Sequence, residues 1–167
     1  MGEIKLTRID ARLVHGQVAG RWIKFLSINK IVIVNDTVAN DSFMVQLFQL
    51  ACPPNTVIEC LTTEKAVDAF NTNKFGDGNI LLLFKDVETC KAAYDAGITF
   101  DSLDMGNVPG AEDRIHCSET VCLSLKEFDT LKELEGKGVN VYFRQVPESS
   151  STPLTAVADK FAKIRKG

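Results

Sequence analysis

The sequence predicts a single-domain α/β fold with a mostly parallel sheet of about seven strands flanked by helices. Short apolar, β-branched segments alternate with longer stretches of helical spacing, and Gly, Pro, Asn and Asp punctuate the joins. A chain of 167 residues, 45% of them hydrophobic and without an internal repeat, supplies one sizeable core over residues 1–167.

The elements follow in order. Ile4 to Ile9 reads as the first strand, Asp10 to His15 as a polar turn, and Gly16 to Leu26 as a helix with Val18, Trp22 and Phe25 among its apolar positions. Ile31 to Val34 is the second strand; it ends at Asn35-Asp36 and leads to a helix over Ser42 to Ala51, capped by Asp41 or Ser42 and stopped by Pro53-Pro54. Thr56 to Leu61 is the third strand, followed by Thr62 or Thr63 as N-cap and a helix bearing Ala66, Val67 and Phe70. After the Gly76-Asp77-Gly78 turn comes the strand Ile80 to Phe84, then a helix from Asp86 as N-cap to Gly97 as its left-handed end. Strands over Ser102 to Met105, Thr120 to Leu123 and Val139 to Phe143 complete the sheet, with a helix over Leu125 to Leu134 before the last of them. A polar linker leads to a final helical segment, Leu154 to Ile164.

Composition removes several function classes. A net charge of −3 gives no basic footprint for nucleic acid or an anionic membrane. No stretch reaches the roughly 20 apolar residues of a membrane span, and the amino terminus does not read as a signal peptide. The five cysteines, Cys52, Cys60, Cys90, Cys117 and Cys122, lack a CxxC pair, so they read as small apolar residues in a reducing cytoplasm, and no metal site is expected.

In open parallel sheets ligands sit outside the carboxyl ends of the strands. The first such loop, Arg8-Ile9-Asp10-Ala11-Arg12-Leu13-Val14-His15-Gly16-Gln17-Val18, gathers two arginines, a carboxylate and one of only two histidines. A neutral imidazole is nucleophilic near neutral pH and can carry a phosphoryl group covalently, which makes His15 the candidate catalytic residue. Just before a helix, it would present that phosphate to the free N–H groups of Gly16, Gln17 and Val18 and to the positive end of the helix dipole. Arg12 offers a planar fork of donors for phosphoryl oxygens, and Arg8 is a second such candidate. Asp10 is placed either to accept from the second imidazole nitrogen or to hold Arg12. Against this stands a plainer possibility, in which a loop histidine is structural and Arg-Asp pairs are surface salt bridges of small worth.

The string RIDARLVHGQV closely resembles the phosphorylation-site signature of the sorbose/mannose-family IIB components of bacterial sugar phosphotransferase systems. Further matches are Val34-Asn35-Asp36, Leu81-Leu82-Leu83-Phe84-Lys85, Met105-Gly106-Asn107 and Val146-Pro147, so the resemblance runs over most of the chain. It implies a cytoplasmic phosphocarrier that takes a phosphoryl group from a IIA partner onto the His15 nitrogen nearer the backbone. The carrier would deliver that group to a sugar held by membrane IIC and IID partners, with no cofactor. By the same resemblance Arg12 helps to bind the phosphate, and Arg8, Asp10 and Asp36 line the site. One departure stands out: relatives usually carry asparagine-valine-glycine where this chain has Asp104-Met105-Gly106, which adds a carboxylate near the anion site.

Two other classes compete. A histidine phosphatase also places a His-Gly pair after the first strand, but it typically has arginine directly before the histidine, where this chain has Val14, and it needs a second catalytic histidine; the other one here, His116, reads as structural or solvated. A nucleotide-binding module would show GxGxxG or GxxxxGK[ST] after a strand, and neither occurs. Trp22 and Phe25 read as core packing, and Phe43, Leu47 and Phe48 as a buried helix face or an oligomer contact.

Overall fold

The computed structural model describes residues 2–166, the side chains of Gln17, Val18 and Lys166 excepted. In chain order its strands are β1 (Glu3–Asp10), β2 (Lys30–Val34), β3 (Val57–Leu61), β4 (Asn79–Phe84), β5 (Ser102–Asn107), β6 (Arg114–Ser118), β7 (Val121–Ser124), β8 (Asn140–Phe143) and β9 (Thr152–Pro153). The helices are α1 (Gly16–Leu26), α2 (Asp36–Ala39), α3 (Ser42–Ala51), α4 (Thr63–Asn73), α5 (Val87–Asp95), α6 (Leu125–Gly136) and α7 (Ala158–Lys166), the last preceded by a 3₁₀ turn at Leu154–Val157.

Seven strands form one sheet in the order β3-β2-β4-β1-β5-β8-β9. All neighbours are parallel except β8 and β9. The central strands are near-continuous apolar runs, KIVIV and NILLLF, because helices cover both of their faces. On one face α1 and α3 pack Trp22, Ile23 and Phe48 with Leu6, Ile31, Ile33, Leu81 and Leu83. On the other face Phe70, Cys90, Leu131 and Phe161 of α4 to α7 meet Val32, Leu82, Phe84 and Val141. Cys90 lies wholly within this second core, and burial pushes its thiol pKa far up, as expected of a packing residue.

The expected sheet and the observed one differ in membership. Residues 121–124 do not join the main sheet; they pair with β6 in a separate antiparallel hairpin. Val121 forms a single parallel bridge with Val108, just past β5, and Val121 and Leu123 are fully buried in the core on the α4 to α7 face. The seventh strand is instead β9, two residues long and ending in a proline, which an edge strand tolerates. The final helical segment is divided by the 3₁₀ turn, and the short α2 follows Asn35, whose side chain accepts the Val38 N–H at 2.9 Å.

The topology also fixes where a ligand would sit. From β1 the chain moves to the β4-β2-β3 side and later returns to β5 and β8 on the other side, so strand order reverses at β1. The loop between β1 and α1 opens at that reversal, where sheets of this class bind ligands.

Candidate functional site

The loop after β1 is held by its own sequence. Asp10, at the strand end and 2% exposed, accepts the Arg12 backbone N–H at 2.9 Å, and its carbonyl accepts from Leu13 N–H at 2.9 Å. Ala11 N–H donates to Asn107 of β5 at 3.0 Å. Leu13 takes the left-handed region (φ 58°), which turns its side chain and that of Val14 down into the α1-side core. This anchors the loop and leaves His15 and Gly16 exposed.

His15 occupies the N-cap of α1 in extended backbone and makes no side-chain capping bond. The contrast with the other helices is physical: α3, α4, α5 and α6 are each capped by a side-chain oxygen of Asp41, Thr62, Asp86 and Ser124, which satisfies free N–H groups. The first turn of α1 has neither such an oxygen nor an acidic residue. Its open N–H groups and about half a positive charge of helix dipole therefore face the space around His15. Gly16 (φ 46°) would have no atom within 4 Å of an added Cβ, which leaves open space at that point.

Arg12 is the exposed cation of the site. Its side chain is 32% exposed, and its Nε and Nη2 meet the two Asp10 oxygens at 3.2 and 3.3 Å. Of the two roles open to Asp10, the structure shows the second, holding Arg12.

Arg8 corrects its expectation as an anion ligand. Its side chain is 3% exposed and its donors are already engaged: Nη1 with Asp104 at 2.5 Å and the Arg144 carbonyl at 2.8 Å, Nη2 with Asp10 at 3.4 Å and the Gln145 carbonyl at 3.0 Å. An added Cβ at Gly106 would fall 2.1 Å from the Arg8 Cζ, so glycine at that position admits the guanidinium across β5. Trp22 closes the other side, its ring 5.6 Å from Arg8 and its N–H donated to the Gln145 carbonyl at 3.1 Å.

Asp36 is tied to a different element. It stands after β2, which β4 separates from β1, and its carboxylate accepts the Thr63 N–H of α4 at 2.8 Å. That oxygen therefore serves a helix terminus of its own. The side chain of Gln17 lies outside the described residues. His116 is exposed on the β6-β7 hairpin, where its carbonyl takes the Lys160 ammonium at 2.9 Å.

Asp104, which the sequence put near the anion site without a role, and Arg144, which sequence reasoning had not placed, complete the surroundings. Asp104 is directly opposite Arg8 in the β1-β5 register, fully buried, and also accepts the Arg144 N–H at 2.9 Å. Burial outweighs the pull of Arg8 and the Arg144 N–H and pushes its pKa up to about 6, so the carboxyl is still ionised at neutral pH. The Arg144 guanidinium lies over Trp22 at 5.5 Å and Phe25 at 5.9 Å, and donates to the carbonyls of Ser149 and Pro147. The Gly that accommodates Arg8 and the departure at Asp104 were the available sequence signals. Among the described residues, no group of three or more His, Cys, Asp or Glu side chains could hold a metal ion.

A family model described as PTS system sorbose subfamily IIB component matches residues 4–166. The mannose-specific EIIAB component of Escherichia coli (strain K12) is 28% identical over 163 residues, 98% of this chain and 50% of that protein, so the chain spans half the length of this relative. The fructose-specific EIIB component of Bacillus subtilis (strain 168) is 26% identical over 163 residues and is covered over 100% of its length. Among solved structures, manxB from Thermoanaerobacter tengcongensis superposes with a TM-score of 0.89 at 36% identity, covering 96% of this chain and 97% of that one. The IIBSor domain of the sorbose permease from Klebsiella pneumoniae gives 0.87 at 28% identity, over 96% and 98% of the two chains.

Proposed function

The chain belongs to the sorbose-subfamily IIB components of the sugar phosphotransferase system, and from that premise we propose that it is a cytoplasmic phosphocarrier whose His15 takes a phosphoryl group from a IIA partner and passes it to a sugar brought by membrane IIC and IID partners. The observation that carries this reading is the exposed, uncapped His15 at the open N-terminus of α1, with Arg12 three residues before it.

In the first transfer an imidazole nitrogen of His15 attacks the phosphorus of the donor's phosphohistidine. The new N–P bond forms as the donor's N–P bond breaks, and the departing ring takes up the proton that the other His15 nitrogen gives up. Charge on the three equatorial oxygens in transit faces the first-turn N–H groups of α1, those of Gly16 and Gln17 included, and the Arg12 fork. A phosphate competes with Asp10 for the Arg12 fork, and Asp10 keeps its contact with Arg8 when Arg12 turns to the anion. In the second transfer a sugar hydroxyl oxygen attacks the same phosphorus, the His15 N–P bond breaks, and the hydroxyl proton passes to the imidazole. No helix of the described residues is long and apolar enough to cross a membrane. In this reading the sugar and its site belong to the membrane partners.

The test is intact-mass analysis after incubation with phosphoenolpyruvate, the general phosphotransferase proteins and a IIA domain, with IIA omitted in the control. The reading expects an acid-labile gain of one phosphate that depends on IIA, and its disappearance in His15→Ala while the melting temperature is unchanged, because an exposed loop side chain adds little to the core. A His15→Ala protein that still accepts phosphate stoichiometrically would refute the assignment.

A further inference from the structure

The charged groups at the end of β1 and in the loop after it form, with Asp104 of β5, one line of alternating sign. From the core outward, Asp104 meets Arg8 at 2.5 Å, Arg8 meets Asp10 at 3.4 Å, and Asp10 meets Arg12 at 3.2 Å. Side-chain exposure rises along it from 0% at Asp104 through 3% at Arg8 and Asp10 to 32% at Arg12. Besides Arg8, Asp104 faces the Arg144 N–H and, across the β5-β8 register, Tyr142. The two cations and two carboxylates of this line balance, and the Arg144 guanidinium is a further cation acting on Asp104, in a region where water screens little.

This balance has a consequence for how tightly a phosphoryl group is held. With Asp104 ionised, Arg8 is compensated from below, and Asp10 is left free to compete with a phosphate for Arg12. Without the Asp104 charge, Arg8 would keep an uncompensated positive charge, draw Asp10 to itself and release Arg12 to the anion.

We infer that Asp104 is a positioning residue that acts through Arg8 and Asp10 to keep the phosphoryl group on His15 loosely held, and so sets the direction in which the group moves between carriers. The inference rests on His15 as the phosphorylated residue.

The experiment is the equilibrium of phosphoryl exchange between a IIA domain and the full chain, read by intact mass as the ratio of phosphorylated to free forms of both proteins. Asp104→Asn keeps an oxygen for the Arg144 N–H but removes the charge; the exchange constant should move roughly three- to tenfold toward the phosphorylated chain, the size of one unscreened charge at this remove. The double variant Arg8→Gln/Asp104→Asn removes both charges and should return the constant toward that of the unaltered chain. Loss of a merely structural contact at Asp104 would not be reversed by removing the opposite charge. An Asp104→Asn constant equal to that of the unaltered chain, or displaced toward phosphorylated IIA, overturns the inference. Failure of the unaltered chain to take phosphate from IIA would instead overturn the carrier reading itself.

Discussion

Arg8 and Arg12 stand four residues apart at one strand end, share the carboxylate of Asp10, and live in opposite circumstances. Arg8 is enclosed by β5, Trp22 and the backbone of residues 144 and 145, with four hydrogen bonds of its own. Arg12 has only Asp10, at distances longer than a strong charge-assisted bond, and a third of its side chain meets water. The difference follows from strand alternation and the turn: Arg8 points from within β1 onto the α1-side face, while Arg12 follows the strand end and is lifted by the Asp10 turn. One strand end has thus placed the same residue type in two roles, a fixed charge that builds the site and a mobile one available to a ligand.

The sharpest way to break this comparison is to truncate the buried arginine. Arg8→Ala leaves Asp104 buried without its ionic partner, and removing one member of a buried ion pair typically costs about 3–5 kcal/mol. Denaturant unfolding should show that loss as a lower midpoint with little change of slope. A stability change below about 1 kcal/mol would mean that Arg8 is not the clamp described.

Arg12→Ala is expected to do the reverse. A screened, partly exposed pair contributes little to stability, so unfolding should shift by less than about 1 kcal/mol. The transfer rate from IIA should fall by about two orders of magnitude, the usual effect of removing one donor that stabilises transferring charge. Rapid-quench phosphorylation of the variant checks both the fall in rate and the site's dependence on His15. An unaffected rate would assign the phosphoryl contacts to the helix terminus alone.

The same contrast explains what could be read in the sequence. Helices α1 and α3 begin and end as expected because their signals are local: Asp41 bonds to the N–H groups of Phe43 and Met44, and Pro53 ends the run. The placement of His15 and Arg12 together after β1 was legible because the loop itself holds them. Arg8 was misread because its partners lie 96 and 136 residues away, and only the strand register brings them together. The tie between the Asp36 carboxylate and the terminus of α4, 27 residues on, was not legible for the same reason. Thr120 to Leu123 was assigned to the main sheet because a strand's neighbours are set by non-local packing that an alternating pattern does not encode.

The smallest effect concerns acid. Asp104 has an ordinary pKa of 3.8, raised in the fold to about 6 because burial outweighs its ion pair. Between those values the folded protein holds a proton that the unfolded chain gives up, so this group's contribution to stability is fully present below about pH 4 and is lost as pH rises through about 6. Each pH unit inside that window is worth at most about 1.4 kcal/mol. Unfolding free energies of the protein and of Asp104→Asn, compared between about pH 7 and pH 5, isolate the term, since the remaining carboxylates are common to both. The difference should move in favour of the unaltered protein as pH falls. A difference flat with pH would place the Asp104 carboxyl among freely ionised groups; the Arg8 pair would then outweigh burial, and the inner end of the charge line would resemble the outer one.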